Sequence, residues 1–333
     1  MARTPRNQRT VRRFIEYSLA RFTIGCFRIF PFRLRARVLS GFAVFLALIF
    51  PAIRRRIQGN LNAIFPDMPT EDVTRLYKHN LRVLRNMINE FCEEPRMTRR
   101  FVDRYIVYHP DRETHARLLD RGGILVLGHL GNWETMGVGI THVTENDLYV
   151  FSKRHSNPWS NDWVERTRAT QNIKLIYTDE SPRIALGLLK KGRLVAFISD
   201  QDAGKSGEFF PFLGKLASTY QGPALFARMT DVPILFLISY YDEQDRLHFE
   251  IEEFQRPNWN SKDDPREWER EFTYRWVKHL ENQVRKHPGD YYWLHRRWHT
   301  RPENENQIQS HWAELEQKYG PPDHSADRMS GRL

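Results

Sequence analysis

Apolar and polar positions along this chain follow two regimes. In the first, the period is helical. Phe14, Tyr17, Leu19, Phe22 and Phe27 are interleaved with arginines, which predicts a helix within Phe14–Pro31 that carries its basic residues on the other side. Phe42, Phe45, Leu46, Ile49, Phe50 and Ile53 then fall at i, i+3, i+4, i+7, i+8 and i+11, a helical stripe in a stretch without charge between Arg37 and Arg54. Pro69-Thr70-Glu71-Asp72 reads as the start of a further helix reaching about Glu94, with Leu76, Leu81, Leu84, Ile88 and Phe91 on its buried face.

From about residue 105 the pattern changes to short apolar runs that alternate with helical periods. Strands are predicted at 105–108, 123–127, 147–152, 173–177, 193–199, 233–241 and 247–253. Helices are predicted at 111–121, 132–143, 159–170, 181–190, 218–230 and 264–287. Such alternation predicts an α/β fold, a mostly parallel central sheet with helices on both faces and right-handed crossovers. The greasy segment Glu208–Lys215 reads as a surface loop that either packs under the neighbouring turn or lines a groove. Three segments result: a basic, amphipathic, membrane-associating helical region over 1–58, the α/β domain over 59–302, and a polar tail over 303–333, expected to be disordered.

Composition narrows the setting. At 333 residues, 40% hydrophobic and 28% charged, the chain can bury a large core. A mean hydropathy of −0.64 excludes a multi-pass membrane protein. The uncharged run 38–53 would make a helix of about 24 Å, short of a hydrocarbon core of about 30 Å. Arg33, Arg35 and Arg37 precede it and Arg54, Arg55 and Arg56 follow, which favours an interfacial helix on anionic lipid over a short span or a buried helix. Cys26 and Cys92 alone give no disulfide framework and suit a reducing compartment. A net charge of +10 points to anionic partners.

The chemistry concentrates in Gly128-His129-Leu130-Gly131-Asn132-Trp133-Glu134, directly behind the apolar run Ile124–Leu127. Catalytic groups in open α/β sheets sit at the carboxyl ends of strands, which is where His129 falls. On one continuous helix, positions five apart diverge. With His129 in a turn and Glu134 in the first helical turn behind an Asn132 cap, the two side chains can meet, and Glu134 can orient the imidazole as a base. No Ser or Cys nucleophile stands in the motif, which suits direct transfer to a hydroxyl. A zincin-like metal site is disfavoured because the second His at i+4 is missing. Asp200 follows the strand 193–199 and would share a sheet edge with His129; it either sets local charge, holds a partner such as Arg168, or serves as a turn residue. His295-Arg296-Arg297 follows the aromatic Tyr291-Tyr292-Trp293, but no nucleic-acid motif accompanies this platform.

The Gly-His-Leu-Gly-Asn-Trp-Glu block resembles the His-four-residues-Asp/Glu motif of the lysophospholipid/glycerolipid acyltransferase superfamily. Within it the chain is most similar to the late, lauroyl/myristoyl-type lipid A biosynthesis acyltransferases. Further blocks agree in order: Asn157-Pro158 with Arg168 downstream, Ser199-Asp200-Gln201-Asp202-Ala203-Gly204, Phe209–Lys215, and His287-Pro288 through Trp298. The resemblance implies acyl transfer from an acyl-carrier-protein thioester to a hydroxyl of an anionic lipid A precursor, at the cytoplasmic face of the inner membrane. It implies His129 and Glu134 as the catalytic pair, and Asn132, Asn157, Arg168, Asp200, Arg296 and Arg297 as substrate-binding residues. A thioester is already activated, so no cofactor or metal is called for. Other acceptors (a lysophospholipid, glycolipid or aminolipid) remain alternatives, as does a catalytically inactive lipid-binding protein on the membrane surface.

Overall fold

A computed structural model describes residues 10–49, 51–258 and 264–319. Three helices lead the chain: α1 (Val11–Arg28), α2 (Phe32–Ile49) and α3 (Pro51–Ile64). The long α4 (Thr70–Glu93) and short α5 (Arg99–Tyr105) follow, then β1 (Ile106–His109), α6 (Arg112–Leu119) and β2 (Gly123–Leu127). Next come α7 (Trp133–Thr144), β3 (Leu148–Ser152), α8 (Pro158–Ala169), β4 (Ile173–Tyr177), α9 (Pro182–Lys190) and β5 (Leu194–Ile198). The chain continues through β6 (Glu208–Phe212), β7 (Lys215–Thr219), α10 (Gly222–Arg228), β8 (Ile234–Tyr241), β9 (Leu247–Glu253), α11 (Pro265–Lys286) and α12 (Glu305–Tyr319).

The main sheet has strand order β1-β9-β8-β2-β5-β3-β4. It is parallel except at the β8–β9 pairing, in agreement with the expected mostly parallel sheet. Period-two side chains divide between two cores. Ile124, Val126, Val195, Phe197 and Phe236 pack with α9, α10 and α11 on one face. Leu125, Leu127, Ala196, Leu235 and Leu237 pack with α5, α6 and α7 on the other. Every residue of β2 is buried, as a central strand covered on both faces requires. β2 lies between β8 and β5, while the chain from β2 runs outward to β3 and returns through β5. The carboxyl ends of β2 and β5 therefore face a topological switch point.

Two readings of the sequence are corrected. Glu208–Lys215 is no surface loop but most of an antiparallel hairpin, β6–β7, that turns at Leu213-Gly214. Both turn residues have positive φ, 51° and 76°, the geometry a two-residue hairpin needs. Leu213 is held there by burial and by an N–H bond to the Glu281 carboxylate at 2.9 Å. Phe210 and Phe212 are fully buried, and because 215–219 is strand, the helix expected from residue 218 begins only at Gly222. The second correction is in the polar tail, where 305–319 form α12. Trp312 anchors it, donating Nε1–H to the Phe209 carbonyl at 2.8 Å and stacking on Tyr274. The tail beyond Tyr319 lies outside the described residues.

The N-terminal helices pack on the α/β domain. Phe14 and Tyr17 meet Trp159 of α8. Asn157, at the head of α8, donates to the Arg13 carbonyl at 2.7 Å. Arg28 donates to the Cys92 carbonyl, and buried Arg35 binds Asn89 and Glu93. The opposite side of α1 is apolar and open: Val11, Ile15, Leu19 and Phe22 are 77%, 59%, 64% and 71% exposed. Among the described residues no helix is long and apolar enough to cross a membrane. The predicted stripe is split between α2 and α3, with Pro51 opening α3; the side chains at 42–49, and Phe50 altogether, lie outside what is described.

Burial of a Trp ring is worth roughly 3–5 kcal/mol, more than the polar remainder of α12 can replace. Trp312→Ala should therefore release α12 from the hairpin. Limited trypsin digestion checks this: cleavage after Arg301 should accelerate strongly while the sheet domain stays resistant. Equal cleavage rates in the two proteins would show that α12 docks by other contacts.

Candidate active site

The turn after β2 is shaped by close backbone approach. A Cβ at Gly128 would lie 2.6 Å from Leu280 and 3.2 Å from an Asp200 carboxylate oxygen. Gly131 adopts φ +64°, and a Cβ there would sit 2.4 Å from the Ser239 carbonyl oxygen. Both positions need glycine, one for space and one also for the left-handed backbone. Asn132 then caps α7, its side-chain oxygen accepting the N–H groups of Glu134 and Thr135. The amide of Asn132 donates to Glu90 at 2.7 Å. On the far side, the Tyr292 N–H donates to the His129 carbonyl at 2.9 Å.

Within this frame His129 and Asp200 meet. The Asp200 carboxylate accepts from His129 Nδ1 at 2.5 Å and from the His129 backbone N–H at 2.9 Å. Asp200 follows β5, the parallel neighbour of β2, so the two residues share the carboxyl edge as the strand pattern predicts. Burial disfavours a charge on Asp200, but the hydrogen bonds and charge of His129 outweigh it and hold the carboxyl well below the usual range. An ionised carboxylate can only accept, so Nδ1 carries a proton, and in the neutral imidazole Nε2 carries the lone pair. Gln201 Nε2 lies 3.0 Å from that nitrogen. The imidazole is packed edge-on by Trp133 at 4.3 Å and flanked by Tyr292 and His295. Burial pushes His295 down to about 3, so it is neutral.

Glu134 is not the hydrogen-bonding partner of His129 that the spacing suggested. Its carboxylate takes Arg168 Nε at 2.9 Å and Nη2 at 2.5 Å, and the Trp133 indole N–H at 3.2 Å. Burial opposes its ionisation, yet the Arg168 charge prevails and its carboxyl lies below the ordinary range. Nor does Asp200 hold Arg168. The two carboxylates divide the work, one on the imidazole and one on the guanidinium. Arg168 Nη1 is buried without a hydrogen-bond partner. Glu134 and Arg168 also line a narrow, largely aliphatic cavity between α7 and the sheet, bounded by Met136, Gly137, Ile140 and Leu148.

The remaining expected substrate contacts are mostly spent on structure. Asn132 and Asn157 are helix caps with their amides committed to Glu90 and to the Arg13 carbonyl. Arg297 is fully buried and donates to the carbonyls of Gln201 and Ser218 and to the Thr219 hydroxyl, which ties the Asp200 loop to the hairpin. Arg296 is exposed. Sequence reasoning missed Glu90 and Gln201. Of the face predicted for α4 only Leu76 is buried and Ile88 is exposed; the helix instead buries the side carrying Val83, Asn86 and Glu90. The expected stripe therefore gave no signal for Glu90, and for Gln201 there was only its place beside Asp200. Among the described residues, His129, Asp200 and His295 offer ligand atoms within 4.8 Å of one another, a set that could hold a metal ion. Both ring nitrogens of His129 are already engaged, so an ion would have to displace one of these hydrogen bonds.

Glu90 gives a pH test of the turn. Its carboxyl, buried among Asn132, Tyr241 and Thr135, is pushed up to about 7 by burial, against the lowering effect of these hydrogen bonds. A folded-state value above the unfolded one means the protonated acid favours the native state. That contribution is complete below about pH 4 and is lost as pH rises through about 7. Glu90→Gln should flatten the decline in melting temperature between about pH 5 and pH 8. Parallel curves for the two proteins would place the titration elsewhere.

Comparison with known proteins gives the family. The chain matches the bacterial lipid A biosynthesis acyltransferases over residues 4–300. It is 25% identical over 272 residues to the lipid A biosynthesis palmitoleoyltransferase of Escherichia coli K12, covering 79% of this chain and 85% of that protein. A lipid A biosynthesis acyltransferase of Shigella flexneri matches to the same extent, 25% over 272 residues. With nearly the whole sequence accounted for, the chain belongs to the bacterial lipid A biosynthesis acyltransferase family.

Proposed function

We propose that this protein moves a fatty acyl chain from an acyl-carrier-protein thioester to a hydroxyl of an anionic lipid A precursor. The observation that carries this reading is the buried Asp200 carboxylate on His129 Nδ1, which leaves Nε2 as the base. The acceptor hydroxyl gives its proton to Nε2 as its oxygen attacks the thioester carbonyl carbon. The tetrahedral intermediate collapses with loss of the thiolate, which takes the proton back from the imidazolium. Asp200 stays ionised throughout and stabilises the cation. Glu134 acts on the reaction through Arg168: it holds the guanidinium so that the unpartnered Nη1 donates to an acceptor oxygen. Exposed Arg296 meets phosphate or carboxylate groups of the acceptor, and the net positive charge attracts the acidic carrier protein.

The open apolar side of α1, with Arg12 and Arg21 at its edges, supports a seat at the cytoplasmic face of the inner membrane. Because α1 packs on α8, which carries Arg168, lipid contact and acceptor binding occur on connected elements.

His129→Ala and Asp200→Asn should each lower transfer by roughly 10²–10⁴-fold, the usual worth of an oriented general base. Far-ultraviolet circular dichroism should stay unchanged. Wild-type turnover in either folded variant would remove the mechanism. Ile15→Glu with Phe22→Glu should abolish sedimentation with vesicles containing anionic lipid. Undiminished sedimentation would locate the membrane contact away from α1.

A further inference from the structure

The nitrogen that must take the acceptor's proton is already occupied. Gln201 Nε2 stands 3.0 Å from His129 Nε2. The ring proton is committed to Asp200 on the other nitrogen, so the amide is the donor and the imidazole lone pair the acceptor. A ring nitrogen has a single in-plane lone pair. Gln201 and an acceptor hydroxyl therefore exclude each other at this atom.

Backbone and side chain of Gln201 differ in their freedom. Its carbonyl accepts from buried Arg297 at 3.2 Å, and the same guanidinium grips the Ser218 carbonyl and the Thr219 hydroxyl of β7. Two residues on, the Ala203 N–H donates to the Ser218 carbonyl at 3.2 Å. The loop is thus fastened to the hairpin on both sides, whereas the Gln201 residue itself is solvent-exposed. A side-chain rotation about a fixed backbone is enough to free His129.

We propose that Gln201 is a positioning residue that caps the base. Without acceptor its amide holds the His129 lone pair; the acceptor hydroxyl displaces it on binding. The inference rests on the acyl-transfer reading of the site. Its consequence is selectivity between nucleophiles. An acceptor held by several contacts can drive the exchange, while a water molecule brings only its own hydrogen bonds and leaves the base covered. The cap therefore protects a bound thioester from hydrolysis until the acceptor arrives. It lowers apparent acceptor affinity by roughly two- to tenfold, the worth of one neutral hydrogen bond.

The test compares the full chain with Gln201→Ala and with Gln201→Met, which keeps length but has no amide. First, nitrogen-15 resonances of labelled histidine are recorded at one alkaline pH without substrates. In both variants the His129 Nε2 resonance should move toward that of an unbonded ring nitrogen. Second, acyl-carrier-protein thioester is supplied with and without purified lipid A precursor. Acceptor-independent hydrolysis should rise roughly two- to tenfold, and the KM for acceptor should fall by a similar factor. An unmoved resonance in both variants overturns the cap. So does a moved resonance with hydrolysis unchanged or reduced, because the contact would then not guard the base. A wild-type chain that transfers no acyl group would defeat the functional reading, while the resonance still decides whether Gln201 holds the lone pair.

Discussion

One buried carboxylate organises this molecule. Asp200 has no exposure to solvent, and an ionised group so placed persists only if its lost hydration is replaced by strong hydrogen bonds. His129 supplies two of them, from its backbone and from its ring. That double grip fixes the turn and the imidazole together, so the tautomer of the ring follows from the position of the chain. It also dictates the neighbourhood. The two residues meet because β2 and β5 are adjacent and parallel, and Gly128 leaves the carboxylate room.

The surrounding structure supports this contact from every side. Arg297 ties the Asp200 loop to the hairpin, and the hairpin is in turn packed by α11 and by Trp312 of α12. Asn60 of α3 donates to the carbonyls of Trp293 and His295, which anchors the segment bearing His295 to the N-terminal helices. Below the turn, Asp290 accepts the Tyr241 N–H and lies 3.0 Å from His79. Rigid support of this kind is what a base needs, since a small displacement of the ring would lose the alignment on which proton transfer depends.

Much of this was legible in the sequence. The alternation of apolar runs and helical periods gave the sheet, and the strand boundaries fall within a residue or two of those expected for β2, β3, β4, β5, β8 and β9. His129 was identifiable from its place behind a buried strand, and Asn132 as the cap of the helix that follows. The hairpin was missed because its aromatic residues do not alternate with polar ones: both sides of it are partly covered, so the period-two signal is absent. The α12 helix was missed because a single Trp does most of its docking among polar residues. Arg297 looked like a ligand contact, since nothing in an Arg-Arg pair tells which guanidinium turns inward.

The pairing error is the most instructive of these. Five positions separate His129 from Glu134, and a turn followed by a helix can bring such residues together. What the spacing omits is the element on each side. His129 leaves the end of a strand whose neighbour in the sheet is β5, so its ring is directed along the sheet edge to Asp200. Glu134 belongs to the first turn of α7, which lies over one face of the sheet where α8 brings Arg168 within reach. A single short motif therefore feeds two carboxylate contacts, the imidazole hydrogen bond to Asp200 at the sheet edge and the ion pair of Glu134 with Arg168 beside the aliphatic cavity. The local distance between the two acids and bases is set by the chain, but their partners are set by topology. Only a reading that first placed β5 next to β2 could have assigned Asp200 to the imidazole, and that adjacency comes from the return of the chain between β2 and β3 rather than from any residue in the motif.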